Sequence, residues 1–148
     1  MKGAIFIYDT NFGNTEKIAR ALARGMEKQG RTVDCVKADE VDVDTLVEYD
    51  FLAIGGPTHA FGISKPMKAF LEKLKSLNIK GKKAFAFDTK LKAWWLPGSA
   101  GKGIEKTLKE LGMRIVKPHS SVIVTGNEGP LEEGVEELFE QIGGEIQN

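Results

Sequence analysis

Cysteine, histidine and long apolar runs are scarce in this sequence. The single cysteine, Cys35, excludes an intramolecular disulfide and a thiolate-rich metal site, fits a reducing compartment, and is expected to be plain core. Two histidines, His59 and His119, occur without an H-E-x-x-H motif, so a metal site has little support. No apolar stretch approaches the ~20 residues that cross a bilayer, and no signal-peptide pattern is present. We therefore expect a cytoplasmic protein without membrane partners.

An excess of charge of either sign is also missing. Basic and acidic residues number 21 each, so no overall field attracts nucleic acid or an anionic membrane. The 148 residues suffice for one domain of ordinary size. No internal repeat, linker or low-complexity tract divides them. The composition therefore predicts a single domain over residues 1–148.

Short apolar runs alternate with amphipathic stretches along the chain. Residues 4–8, 51–54, 84–87 and 122–124 are typical of strands buried on both faces, and residues 32–36 of a half-exposed edge strand. Residues 43–49 predict a short helical segment. Apolar residues also recur at helical spacing in four places. These are Ile18, Leu22 and Met26; Phe70, Leu74 and Leu77; Ile104, Leu108 and Leu111; and Leu131, Val135, Leu138 and Ile142.

This alternation predicts parallel strands joined by right-handed crossovers, with helices on both faces of the sheet. The expected fold class is therefore α/β, a doubly wound three-layer α/β/α sandwich. In such sheets the ligand lies beyond the carboxyl ends of the strands. The loops at residues 9–14, 57–65 and 88–99 are the candidate site.

The first loop has the composition of a neutral phosphate cradle. It lies between a strand and a helix, and a helix N-terminus offers unpaired N–H groups and a positive dipole end. The hydroxyls of Thr10 and Thr15, the Asn14 amide and the N–H groups around Phe12 and Gly13 would complete the cradle. Glycine permits positive φ, and we expect Asn14 to be the N-cap. The alternative is an ordinary turn. Neither G-x-x-x-x-G-K-[ST] nor G-x-G-x-x-G occurs in this loop.

The run T-N-F-G-N-T at residues 10–15 resembles the phosphate-loop motif [ST]-x-[ST]-G-x-T of the flavodoxin family. Phe12 stands where most flavodoxins have a hydroxyl residue. An aromatic residue at this position resembles the sequences of the flavodoxin modules of flavo-diiron (A-type) flavoproteins. The resemblance covers essentially the whole chain. It implies a short-chain flavodoxin with five parallel strands in the order 2-1-3-4-5, and FMN as the cofactor.

The second and third loops supply groups suited to a flavin ring. Thr58 can hydrogen-bond polar atoms, and His59 and Phe61 offer aromatic faces. The pair Phe61-Gly62 resembles the aromatic-glycine pair of flavodoxins, although Phe61 can equally be a surface aromatic and His59 a loop hydrogen-bonding residue. The third loop contains Trp94 and Trp95, of which at least one is expected against the flavin, while a structural role is the alternative.

All three loops contribute to the predicted FMN site. Its candidate residues are Thr10, Asn11, Phe12, Gly13, Asn14 and Thr15; Pro57, Thr58, His59, Phe61 and Gly62; and Asp88, Thr89, Trp94 and Trp95. Lys65, Lys90 and Lys92 lie in the same loops, and their charge would favour the reduced, anionic flavin.

The leading functional hypothesis is an FMN electron-transfer protein that shuttles electrons between redox proteins, with a diiron or iron-sulfur protein as a candidate partner. Because the flavin does the chemistry, such a carrier needs no catalytic acid, base or nucleophile, and none is predicted. The alternative is an FMN-dependent NAD(P)H:quinone oxidoreductase. A flavin-free receiver module would need an aspartate after the third strand, where this chain has Gly55-Gly56-Pro57.

Overall fold

A mostly parallel sheet forms the middle layer of the protein. The computed structural model describes residues 2–10, 13–59, 62–91, 99–124 and 130–146. The strands are β1 (Lys2–Tyr8), β2 (Val33–Lys37), β3 (Tyr49–His59), β4 (Gly62–Ile63), β5 (Lys83–Leu91), β6 (Arg114–Ile115) and β7 (Ser120–Val124). Four of them lie in the order β2-β1-β3-β5, and β6 and β7 both pair in parallel with β5. The predicted order is confirmed.

The fifth position of the sheet is divided between two short strands. β6 pairs with the start of β5 and β7 with its end. Pro118 lies between them, and proline has no N–H to give to a ladder. Neither this division nor β4, which pairs antiparallel with the end of β3, was predicted from the sequence.

Helices cover both faces of the sheet. They are α1 (Asn14–Glu27), α2 (Lys65–Leu74), α3 (Ala100–Glu110) and α4 (Val135–Glu145), with a 3₁₀ helix at Val43–Glu48. One apolar cluster, with Phe6, Phe51 and Phe139, fills the space between the sheet and α1 and α4. A second, with Ile7 and Leu52, lies between the sheet and α2 and α3. Since the alternate side chains of β1 point into different clusters, the three-layer sandwich is confirmed.

The predicted helix faces need correction at their ends. α4 begins at Val135, and Leu131 instead forms an isolated bridge to Val124. Leu138 is 52% exposed, and the buried face of α4 runs through Phe139 and Ile142. Leu77 and Leu111 follow the last residues of α2 and α3 but still pack against the core. These errors arise because apolar residues beyond a helix end can keep the helical spacing without being helical.

Within the described ranges, no helix has the length and apolar character needed to span a membrane. Cys35 is a free thiol, half-buried against the cluster that contains Phe6.

Candidate functional site

The strands at the site are longer than predicted. β3 continues to His59 and β5 to Leu91, so Pro57, Thr58, His59, Asp88 and Thr89 lie in strands rather than loops. The β3–β5 ladder extends through the pair Pro57↔Thr89, whereas the β1–β3 ladder ends at Tyr8↔Gly55. Proline is tolerated where a strand is open on one side, because no neighbour needs its N–H there. The carboxyl ends of β3 and β5 therefore extend beyond the carboxyl end of β1.

The loop after β1 leads into a helix start without a side-chain cap. Gly13, at φ 88°, is the N-cap of α1, and Asn14 is the first helical residue, so the predicted N-cap at Asn14 is wrong. The left-handed conformation of Gly13 explains the shift, since glycine adopts it without strain. Thr10 Oγ1 accepts a hydrogen bond from the Gly13 N–H at 2.8 Å. The Thr10 side chain thus stabilises the loop conformation through a hydrogen bond within the loop.

Thr15 lies deeper than the sequence suggests. Its side chain is 1% exposed, and its Oγ1 is 3.3 Å from Thr89 Oγ1 on β5. Asn14 is 6% exposed. The two hydroxyls link the start of α1 to the end of β5. The first and third segments of the predicted site are therefore in direct contact.

The start of α1 differs from the starts of α2 and α3 in a way that suits an anion. Ser64 caps α2 by accepting the Met67 N–H, and Ser99 caps α3 by accepting the Lys102 N–H. In α1 no side-chain hydrogen bond from a described residue caps the helix. The described side chains thus leave its first N–H groups available, and such groups together with the helix dipole favour a phosphate. A carbon added at Gly13 would have nothing within 4 Å among the described atoms.

A buried carboxylate joins the second and third segments. Asp88, which is fully buried, accepts hydrogen bonds at Oδ2 from Thr58 Oγ1 at 2.7 Å and from Ser99 Oγ at 2.6 Å. The Ala100 N–H donates to Thr58 Oγ1 at 3.0 Å, which closes the network at the start of α3. Asp88 Oδ1 has no hydrogen-bond partner among the described residues. The Asp88 side chain therefore joins Thr58 of β3 to Ser99 at the start of α3.

This network changes the roles predicted for two residues. Thr58 uses its hydroxyl hydrogen to donate to Asp88 and one lone pair to accept from the Ala100 N–H. It therefore has only a lone pair left to offer a ligand. Asp88 is buried, and its described contacts reach the predicted site through Thr58 and Ser99. Ser99 lies at the end of the predicted third loop but was not among the candidate FMN residues, although a serine just before a helical pattern indicates an N-cap.

A second unpredicted contact ties the first loop to the helix after β4. Asp9 Oδ2 accepts a hydrogen bond from Ser64 Oγ at 2.5 Å. Ser64 is buried and also caps α2. Asp9 is held in turn by its N–H, which donates to the Gly55 carbonyl at 3.0 Å. The carboxyl ends of β1 and β3 are therefore fixed relative to each other.

Five of the predicted residues lie outside the part of the chain that is described: Asn11, Phe12, Phe61, Trp94 and Trp95. Their roles stay predictions, as does that of the His59 side chain. Gly62 pairs with His59 through the backbone, and a carbon added there would meet nothing within 4 Å. In the described ranges no group of three or more His, Cys, Asp or Glu side chains could hold a metal.

The residues that the structure brings together fit FMN by their chemistry. The helical N–H groups that no described side chain caps, together with the threonines beside them, are uncharged donors of the kind that suits a phosphate dianion. The ends of β3 and β5 provide the adjoining surface for a ring. The fold and this site together define the class: a doubly wound α/β protein whose first strand leads into a helix with a left-handed glycine at its N-cap.

Comparison with known proteins identifies the family within this class. The sequence profile of the flavodoxin family matches residues 6–142, and the chain belongs to that family, whose members bind FMN. A flavodoxin from Clostridium saccharobutylicum is 31% identical over 84 residues, which cover 56% of this chain and 52% of that protein. The match thus spans about half the length of this relative.

Solved structures agree over the whole fold. A flavodoxin from the domain Archaea superposes with a TM-score of 0.86 at 25% identity and covers 98% of this chain and 96% of its own. A flavodiiron core from Synechocystis has a TM-score of 0.80 at 20% identity, covering 99% of this chain but 35% of its own. The second likeness shows the fold alone. The flavodoxin-like fold expected from the sequence is confirmed.

Proposed function

We propose that residues 1–148 form one FMN-binding domain that carries electrons between redox proteins in the cytoplasm. The observation that carries this proposal is the start of α1, which no described side chain caps and which contacts the end of β5, the neighbour of β3. FMN, when bound, supplies the redox chemistry, and the protein supplies binding and orientation. The proposal therefore assigns no catalytic acid, base or nucleophile to the chain.

The proposed FMN contacts fall into two groups. The phosphate lies on the first loop, and the ring lies against the second and third segments. Asp88 holds these two segments in position by accepting hydrogen bonds from Thr58 and Ser99. The phosphate residues are Thr10, Asn11, Phe12, Gly13, Asn14 and Thr15. The ring residues are Pro57, Thr58, His59, Phe61, Gly62, Thr89, Trp94 and Trp95.

The described residues position these groups before any ligand arrives. Thr10 shapes the loop around Gly13, and Thr15 ties α1 to Thr89. Asp9 links the first loop to Ser64 at the start of α2. Preorganised donors at a helix N-terminus lose little entropy when they bind a phosphate, so these links favour affinity.

Anaerobic stopped-flow mixing tests whether the FMN-loaded protein is a carrier. The photoreduced protein is mixed with oxidised cytochrome c, and the oxidised protein with NADH or NADPH, with free FMN at the same concentration as the control. A carrier passes electrons to cytochrome c and is reduced by the nicotinamides no faster than free FMN. Rapid reduction by NADH or NADPH, followed by turnover with a quinone, would replace the proposal with the quinone oxidoreductase alternative.

A further inference from the structure

Lysines lie near the starts of the two helices that follow β3 and β5. α2 begins with Lys65 and carries Lys68 three residues later, whereas α3 carries Lys102 in its first turn and Lys106 in its second. All four residues are exposed, and neither helix has an acidic residue in its first turn. Because a helix N-terminus carries partial positive charge, cations placed in the first turn lower helix stability. Helix stability therefore does not account for Lys65, Lys68 and Lys102.

The helix α4 on the other face of the sheet shows the opposite charge at the same position, with Glu136 and Glu137 in its first turn. The start of α1 is balanced, because Glu16 is followed by the exposed Lys17 and forms an ion pair with Arg20. All four helices start at the carboxyl edge of the sheet, where each follows a strand. The rim of the candidate site is therefore basic at the starts of α2 and α3 and acidic at the start of α4. Such an asymmetry orients a charged partner during its approach.

The basic side of the rim adjoins the second segment of the site. Ile63 of β4 packs on Gly103 of α3, where an added Cβ would lie 2.8 Å from Ile63 Cδ1. Lys102 precedes Gly103, and Lys65 follows Ile63 by two residues. The hairpin of β3 and β4 therefore lies between the lysines of the two helices.

The charge of these lysines is not neutralised by the described part of the chain. None of the four forms an ion pair with another described residue. The nearest acid in sequence on α3, Glu105, lies within ion-pair distance of Lys109 and His119. The four exposed cations thus keep their charge near the hairpin of β3 and β4, which carries part of the predicted site.

We propose that Lys65, Lys68, Lys102 and Lys106, together called the lysine face, dock a redox partner protein whose own docking surface is acidic. The inference rests on the proposed electron-carrier function and names the chemistry of its partner. Opposite charges raise the association rate and set the orientation of the complex, and both effects weaken with salt. The partner would thus lie over the second segment of the site rather than over α1.

Relaxation of amide protons by charged nitroxides measures the local potential directly. In the ¹⁵N-labelled protein as purified, anionic carboxy-PROXYL is expected to relax amides of residues 62–68 and 100–106 more than cationic aminomethyl-PROXYL does. Amides in the first turn of α4 should show the reverse preference. Equal relaxation by both nitroxides at the lysine face would overturn the proposal.

Poly-L-glutamate serves as the acidic probe, and two double variants make a matched pair. Lys65→Gln with Lys102→Gln removes two charges from the first turns of α2 and α3. Lys73→Gln with Lys109→Gln removes two from the last turns of the same helices. We expect the first variant to weaken poly-L-glutamate binding by about fivefold or more at low salt and the second to weaken it less than about twofold. Equal losses would contradict a defined lysine face.

These two measurements do not depend on the flavin, so they separate failure of the lysine face from failure of the carrier function. A third measurement connects the two. The photoreduced, FMN-loaded protein is oxidised by ferricyanide, an anion, or by cobalt(III) hexaammine, a cation, at increasing ionic strength. Salt should slow the first reaction and speed the second, and the Lys65→Gln, Lys102→Gln variant should weaken both trends. Salt trends equal to those of wild type in this variant would overturn docking next to the cofactor.

Discussion

Replacing Asp88 tests whether the buried carboxylate holds the ring-binding segments in place. Asp88→Ala removes the acceptor for the Thr58 and Ser99 hydroxyls, which donate to Oδ2 at 2.7 and 2.6 Å. A hydrogen bond to a charged group contributes about 1.5–3 kcal/mol to stability. Part of this loss is offset, because the variant no longer buries a carboxylate whose Oδ1 lacks a partner among the described residues. We expect the free energy of unfolding to fall by about 2–4 kcal/mol.

The same change should loosen flavin binding without touching the phosphate loop. FMN and riboflavin should lose affinity by a similar factor, about tenfold, because both carry the ring. Asp88→Asn keeps one acceptor oxygen and should lose less than Asp88→Ala in both measurements. Asp34→Asn is the control for changing a hydrogen-bonded carboxylate away from the site. Asp34 lies on β2, at the opposite edge of the sheet from α3, and accepts a hydrogen bond from the Tyr49 hydroxyl at 2.6 Å.

Urea unfolding gives the stability changes, and quenching of flavin fluorescence on titration gives the affinities. Unchanged affinity for both flavins in Asp88→Ala, combined with a large loss of stability, would refute the positioning role. A loss confined to FMN would instead place Asp88 with the phosphate.

Three further perturbations follow from the structure. Thr15→Ala should weaken FMN by about 1–2 kcal/mol and leave riboflavin almost unchanged in the same titrations; equal losses would exclude Thr15 from the phosphate site. Gly25→Ala places a carbon 1.8 Å from the Glu140 carbonyl oxygen and should cost about 2–3 kcal/mol in urea unfolding, whereas Gly144→Ala, with its nearest such contact at 3.6 Å, should cost little. Burial and the Asp34 hydrogen bond raise the pKa of Tyr49 from 10.0 to about 12. Its hydroxyl therefore stabilises the fold below pH 10 and loses that contribution as pH rises to 12, so Tyr49→Phe should unfold with a flatter pH dependence there; identical slopes would contradict this assignment.

The sequence predicts the sheet well because its central strands coincide with short apolar runs. Phe51 and Phe85 are buried in the middle layer as expected, and β1, β3 and β5 stand in the predicted neighbouring positions. The ends of β3 and β5 were missed because polar residues such as Asp88 pair there through the backbone, which hydrophobicity does not report. The division of the fifth strand around Pro118 has a visible signal, since proline interrupts a ladder.

The site was predictable where it depends on local sequence and not where it depends on tertiary contacts. Thr10 and Gly13 lie in one loop, and their hydrogen bond spans three residues. The Asp9 to Ser64 contact spans 55 residues, and each partner alone resembles an ordinary loop or capping residue. The shift of the N-cap from Asn14 to Gly13 depends on a left-handed backbone, which the residue types permit without requiring it.

The measurement that tests the central claim most directly is calorimetric titration of the flavin-free protein with FMN and with riboflavin. We propose that the start of α1, which no described side chain caps, binds the phosphate of FMN. FMN should therefore bind at one site per chain and at least about 100-fold more tightly than riboflavin, which has no phosphate. Binding of neither flavin, or equal affinity for both, would contradict the account.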